Sequence, residues 1–180
     1  MIDLKPACHR MADLLAGVTD DQLTGPTPCA EYTVADLVTH VDGVAQGFAS
    51  LARRTGGEQA ELTFADGWPD GTAEHVRALG EAWDDTAAWE GSTAVAADLA
   101  LPNELWGRIS LTEMVVHGWD LARATGQPFA LPEETLLACL DHVTEFVPKA
   151  PVPELWGTPA QVADDAPLID RIVAVTGRTP

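Results

Sequence analysis

Three ionisable side chains occupy positions where the surrounding pattern calls for apolar ones. His40 lies three residues after Leu37 and four before Val44, on the apolar stripe of its segment. Glu113 and His117 are four apart, so on a helix they leave the same face one turn from each other. Their neighbours Met114, Val115, Val116, Trp119 and Leu121 make that segment apolar on several sides. An unpaired charge is costly to bury, so such groups usually have a partner or a metal. One carboxylate and two imidazoles form a His₂Glu set, which holds a divalent ion at about 2.0–2.2 Å and leaves coordination positions open. Metal binding needs neutral imidazoles, so affinity is expected to weaken as pH falls through about 6.5, or lower once metal competes with the proton.

Structural alternatives stand beside this reading. His40 alone reads as a core histidine satisfied by a neighbour. Glu113 closes a capping box if a helix begins at Ser110, and Glu113 with His117 also suits a plain helix-surface pair. Asp120, three residues beyond His117, either accepts a hydrogen bond from the histidine ring or forms an ion pair with Arg123 or a neighbouring helix. The other histidines are weaker candidates. His9 lies near the start of the first helix, His75 in the first turn of the third, and His142 on a polar edge. Cys29 precedes His40 by eleven residues, about 16 Å along a helical path, and reads as remote from that site. Cys8 and Cys139 sit at apolar helical positions and read as core. H-E-x-x-H, G-x-G-x-x-G, Walker and G-x-S-x-G patterns are absent, which removes support for zincin peptidase, nucleotide-binding and serine hydrolase chemistry.

The elements that must position these residues are helical. Periodicity and stop signals predict helices over about Pro6–Ala16, Thr33–Arg54, Thr72–Trp89, Ile109–Thr125, Pro132–Val147 and Pro167–Thr176. Thr33 with Asp36 suits a box-like cap, and Gly56-Gly57 ends the second helix. Ser92–Gly107 reads as a loop or crossover with one short extended piece, and Pro148–Pro159 as coil. No strand alternation persists, so the fold class is all-α, and residues 1–180 read as a single domain with coil and a short helix over about 148–180.

Composition bounds the partners. The 180-residue chain carries 28 acidic and 10 basic side chains, a formal charge of −18 that argues against nucleic acid and anionic membranes. No apolar run is long enough for a transmembrane helix, and Met1-Ile-Asp-Leu-Lys-Pro lacks a signal-peptide pattern. Three cysteines without a Cys-x-x-Cys pair suit a reducing, cytoplasmic setting. The sequence admits a homodimer without requiring one.

The run Pro26-Thr-Pro-Cys-Ala-Glu-Tyr-Thr-Val-Ala-Asp-Leu-Val-Thr-His40 and the run Glu113-Met-Val-Val-His-Gly-Trp-Asp-Leu-Ala-Arg-Ala-Thr-Gly126 resemble signatures of the mycothiol-dependent maleylpyruvate isomerase N-terminal domain group, within the DinB-like superfamily. The end, Asp164 to Arg178, resembles the tail of a compact actinobacterial branch described as metal-binding proteins. The resemblance implies a four-helix bundle with a long crossover. It implies a divalent metal, usually zinc with nickel or another ion admitted, on His40, Glu113 and His117. It further implies a small thiol such as mycothiol as cosubstrate and an electrophile as its acceptor. The reading is therefore a metal-dependent thiol S-transferase, with a non-catalytic metal-binding or sensing module as the alternative. Tyr32 stands where the family usually has Trp. The chain also ends without the sizeable second domain of the isomerases, so isomerase activity is not expected.

Overall fold

The computed structural model describes residues 1–30, 32–55, 68–96, 99–150 and 156–180, with Ala96 and Leu99 described by backbone alone. Helix α1 (Lys5–Ala16) carries Pro6 in its first turn, where a missing N–H costs nothing, and buries Ala7, Cys8, Met11, Leu14 and Leu15. Helix α2 (Val34–Arg53) begins at the expected cap. Thr33 Oγ1 accepts from the Asp36 amide at 3.2 Å, and Asp36 Oδ2 accepts from the Thr33 amide at 3.0 Å. Its end lies at Arg54 in the left-handed region (φ 56°), while Gly56-Gly57 fall outside the described residues.

Helix α3 (Asp70–Ala82) stops earlier than its periodicity predicts. The Asp85 side chain accepts from the Ala87 amide and caps a separate 3₁₀ turn, Thr86–Trp89. Trp89 Nε1 donates back to the Trp83 carbonyl at 2.9 Å, so the break is closed by the aromatic pair that had looked like continued helix. The following segment is a correction to the sequence reading. It forms an antiparallel hairpin, β1 (Ser92–Ala96) and β2 (Leu99–Pro102), with Thr93 opposite Leu101. Tertiary bonds hold it: Trp106 Nε1 donates to the Thr93 carbonyl, and Asn103 donates through its amide to Gly91 and through Nδ2 to Glu90.

Helix α4 (Asn103–Thr125) starts six residues before Ile109, the predicted first residue. Gly107 is a contact and not a stop, because a Cβ there would lie 2.6 Å from the Trp89 ring. Gly126 (φ 69°) ends the helix as expected. Helix α5 (Glu133–Phe146) and helix α6 (Leu168–Val175) follow, and part of the predicted coil, residues 151–155, lies outside the described residues.

Helices α1 and α2 each pack against both α3 and α4, so they occupy opposite corners of a four-helix bundle. Helices α3 and α4 hold the other two corners, so the α1–α2 and α3–α4 connections both cross the bundle, and the second contains the segment read as a loop or crossover. Helix α5 covers a further side of α4, and α6 lies on α5. That double coverage explains why α4 is apolar nearly all round and buries residues on every side. The architecture is the expected all-α, DinB-like one, with the hairpin as a small addition. No helix among the described residues is long and apolar enough to cross a membrane.

Candidate metal centre

His40 sits two turns into α2, on the side that faces α4. Glu113 and His117 share one face of α4, a turn apart. The two helices bring the three side chains together. His40 Nε2 and His117 Nε2 each stand 3.2 Å from Glu113 Oε2, and the two imidazole rings meet edge to face at 4.8 Å. Because α4 begins at Asn103, Ser110 is mid-helix and donates to the Trp106 carbonyl, so the capping-box explanation of Glu113 falls. The explanation as an exposed surface pair falls as well, since His117 is buried at 8% exposure.

The charges fit this burial. Burial itself pushes Glu113 up, but hydrogen bonds from His117 and His40 outweigh it and hold the carboxyl well below the usual carboxylate range. Burial likewise favours neutral His117, but Asp120 and then Glu113 outweigh it and raise the imidazole to about 9. Asp120, with no exposed surface, accepts from His117 Nδ1 at 3.0 Å. Its second partner is Arg178 and not Arg123, whose guanidinium lies over the Trp119 ring at 5.5 Å. Arg178 is the residue that sequence reasoning missed as part of this site. Its signal was a basic residue after a helix-ending glycine, and nothing local says where such a tail folds.

Cys29 is a second correction. Its sulfur, one His117 nitrogen and one Asp120 oxygen lie within 4.8 Å of one another. Distance along the chain misleads here because residues 23–30 and 32–33 do not run straight toward His40. The amides of Val34 and Ala35 donate to the carbonyls of Gly25 and Leu23, Pro26 bridges Thr33, and the Tyr32 amide donates to the Cys29 carbonyl. This fold-back lays Cys29 against α4. Tyr32 stands with its ring 5.5 Å from that of His40, forming a wall beside it.

The remaining candidates fall elsewhere. His9 is exposed. His75 lies beyond the first turn of α3, which begins at Asp70, and its Nδ1 pairs with Asp42 at 2.8 Å. His142 is not on a polar edge. It is 4% exposed, stacks on Phe146 at 4.9 Å, and its buried Nε2 has no hydrogen-bond partner among the described residues. Cys8 and Cys139 are fully buried, and burial pushes both thiols up to about 12.

His40, Glu113 and His117 each offer one donor atom within 4.8 Å of the other two. Donors about 2.1 Å from one tetrahedral ion stand roughly 3.4 Å apart, close to the 3.2 Å of both histidine–carboxylate pairs. The family profile described as Mycothiol maleylpyruvate isomerase N-terminal domain matches residues 4–122, the stretch that holds all three. The chain belongs to this family. Two uncharacterized proteins of Mycobacterium tuberculosis are similar to the chain: MT0763 of strain CDC 1551 / Oshkosh and Rv0738 of strain ATCC 25618 / H37Rv. Each is 34% identical over 178 residues, covering 93% of this chain and 91% of its own length. No solved structure matches the chain. The family match ends at residue 122, before Arg178.

Proposed function

We propose that this member of the mycothiol maleylpyruvate isomerase N-terminal domain family is a divalent-metal-dependent transferase that passes a small thiol of the mycothiol class to an electrophile. The observation that carries the reading is the convergence of two imidazole Nε2 atoms on one Glu113 oxygen, between two helices of a bundle whose core is mostly apolar. His40, Glu113 and His117 would hold the ion, zinc being the first choice for this donor set. The bound ion would supply Lewis acidity that favours the thiolate of a small thiol at neutral pH.

The chain's own residues divide the remaining work. Asp120 keeps the Nδ1 proton of His117 in place, which leaves Nε2 as the donor facing Glu113. The His40 and Glu113 side chains retain 29% and 21% of their exposure, so the site opens on their side, while Asp120 closes its back. A thiol approaches from the open side, with the Tyr32 ring beside it. No basic funnel is needed for an uncharged sugar-based thiol, and the acidic surface does not oppose it.

The test combines metal analysis of purified protein with formation of a thiol–bimane conjugate from mycothiol, with and without chelator. Wild type is expected to hold close to one divalent ion and to conjugate. His117→Ala is expected to lose both while keeping its helical circular dichroism. Cys29→Ser is expected to keep conjugating, which assigns the nucleophile to the small thiol and not to the protein. Conjugation by metal-free His117→Ala would sink the mechanism. Tightly held metal without conjugation of any small thiol would favour the non-catalytic metal-binding reading.

A further inference from the structure

Arg178 reaches the buried back of the site from the far end of the chain. Helix α6 ends with a Schellman arrangement: the Gly177 amide donates to the Ala174 carbonyl at 3.1 Å and the Arg178 amide to the Val173 carbonyl at 2.9 Å. Gly177 has φ 87°, and a Cβ there would lie 2.3 Å from the Gly157 Cα, so the turn requires glycine twice over. The turn aims the Arg178 side chain inward. Its Nη2 stands 2.9 Å from Asp120 Oδ2, its Nε 3.3 Å from Asp120 Oδ1, and its Nη1 donates to the Thr176 carbonyl at 2.9 Å. The side chains of Arg178 and Asp120 are 9% and 0% exposed.

A two-point fork of this kind fixes the plane of a carboxylate, which a single contact does not. Asp120 Oδ2 is the same oxygen that accepts from His117 Nδ1. With Nδ1 tied down, the opposite edge of the ring is fixed, and Nε2 is held toward Glu113 Oε2. We propose that Arg178 is a positioning residue of the metal centre: its fork on Asp120 sets the ring orientation of His117 and so aims the ligand nitrogen. The ring-orienting role follows from the contacts alone, and only its consequence for metal uptake rests on the reading proposed above. The C-terminal tail, outside the matched family region, thereby becomes part of the site.

The experiment uses the full-length chain with Arg178→Lys, which keeps the charge but loses the fork, and Arg178→Met, which loses both. In metal-free, ¹⁵N-labelled protein the His117 Nδ1 proton is expected to exchange slowly in wild type and fast in both variants. In cobalt and zinc titrations Arg178→Lys is expected to bind at least about tenfold more weakly, with an altered cobalt absorption band. A folded Arg178→Lys with a protected Nδ1 proton, wild-type zinc affinity and an unchanged cobalt band would overturn the proposal. If Arg178→Met does not fold, Arg178→Lys decides. Loss of fold in both would make Arg178 a folding residue and overturn the proposal too. If wild type takes up no metal, the proposed function fails, while proton exchange still decides the role of Arg178.

Discussion

At the scale of the residue, the same imidazoles and carboxylate that share protons are the candidate ligands of an ion. Without metal, His117 titrates at about 9, above its ordinary 6.5, because Asp120 and Glu113 outweigh the effect of burial. A group whose folded pKa is raised adds stability that is complete below the unfolded value and is lost as pH rises through the folded one. Metal-free protein should therefore lose thermal stability between about pH 6.5 and 9. Glu113 has the opposite sign: its depressed carboxyl adds stability above its ordinary 4.5, which is lost only in stronger acid. An incoming ion must displace the His117 proton, so metal affinity should keep rising to about pH 9, by up to about tenfold per unit for one displaced proton. This moves the pH dependence well above the 6.5 expected of an unperturbed histidine. Melting curves of metal-free protein and zinc titrations at pH 6, 7.5 and 9 check both trends, and a flat profile in either would contradict the geometry.

At the scale of the element, each candidate ligand depends on how its helix is anchored. Thr33→Ala removes the α2 cap and should cost about 1 kcal/mol by denaturant unfolding. His40 lies two turns inside the helix, so zinc affinity should change little. Gly107→Ala should cost more, about 1–3 kcal/mol, because its methyl would press on Trp89 and Trp83, which seat the start of α4. Helix α5 carries a different liability. Burial, followed by the charge of Arg108, pushes His142 down to about 4, and its Nε2 has no partner among the described residues. A histidine with a depressed folded pKa withdraws stability as pH falls from about 6.5 toward 4. His142→Leu should therefore raise the melting temperature, and more at pH 5 than at pH 7. An equal change at both values would show that His142 is not held neutral.

At the scale of the whole molecule, the formal charge of −18 repels itself across a chain of 180 residues. Screening shortens that repulsion to about 10 Å at 0.1 M salt. Melting temperature should rise when sodium chloride is increased from 10 to 200 mM at pH 7.5, and a fall would show that attractive surface pairs dominate. The acidic surface leaves the buried site largely apart. Its paired groups, Asp120 with His117 and Arg178 above all, are largely buried, where salt screens less.

The local elements were largely legible in the chain itself, because their causes are local. The Thr33–Asp36 cap, the apolar stripe through His40, the i to i+4 spacing of Glu113 and His117 and the Gly126 stop each act within a few residues. The hairpin at 92–102 was not legible, since it lacks an alternating pattern and is closed from outside, by bonds from Asn103 to Glu90 and Gly91 and from Trp106 to the Thr93 carbonyl. The early start of α4 was hidden in the same way, because Gly107 reads as a breaker until the Trp89 ring is packed on it. Within the site, sequence spacing chose His40, Glu113, His117 and Asp120, all of them on helices whose faces can be read. Cys29 and Arg178 reach it from a folded-back crossover and a terminal turn. Distance along the chain says nothing about either, because only the packing of α1 and α2 on opposite corners and of α6 on α5 decides where those segments end.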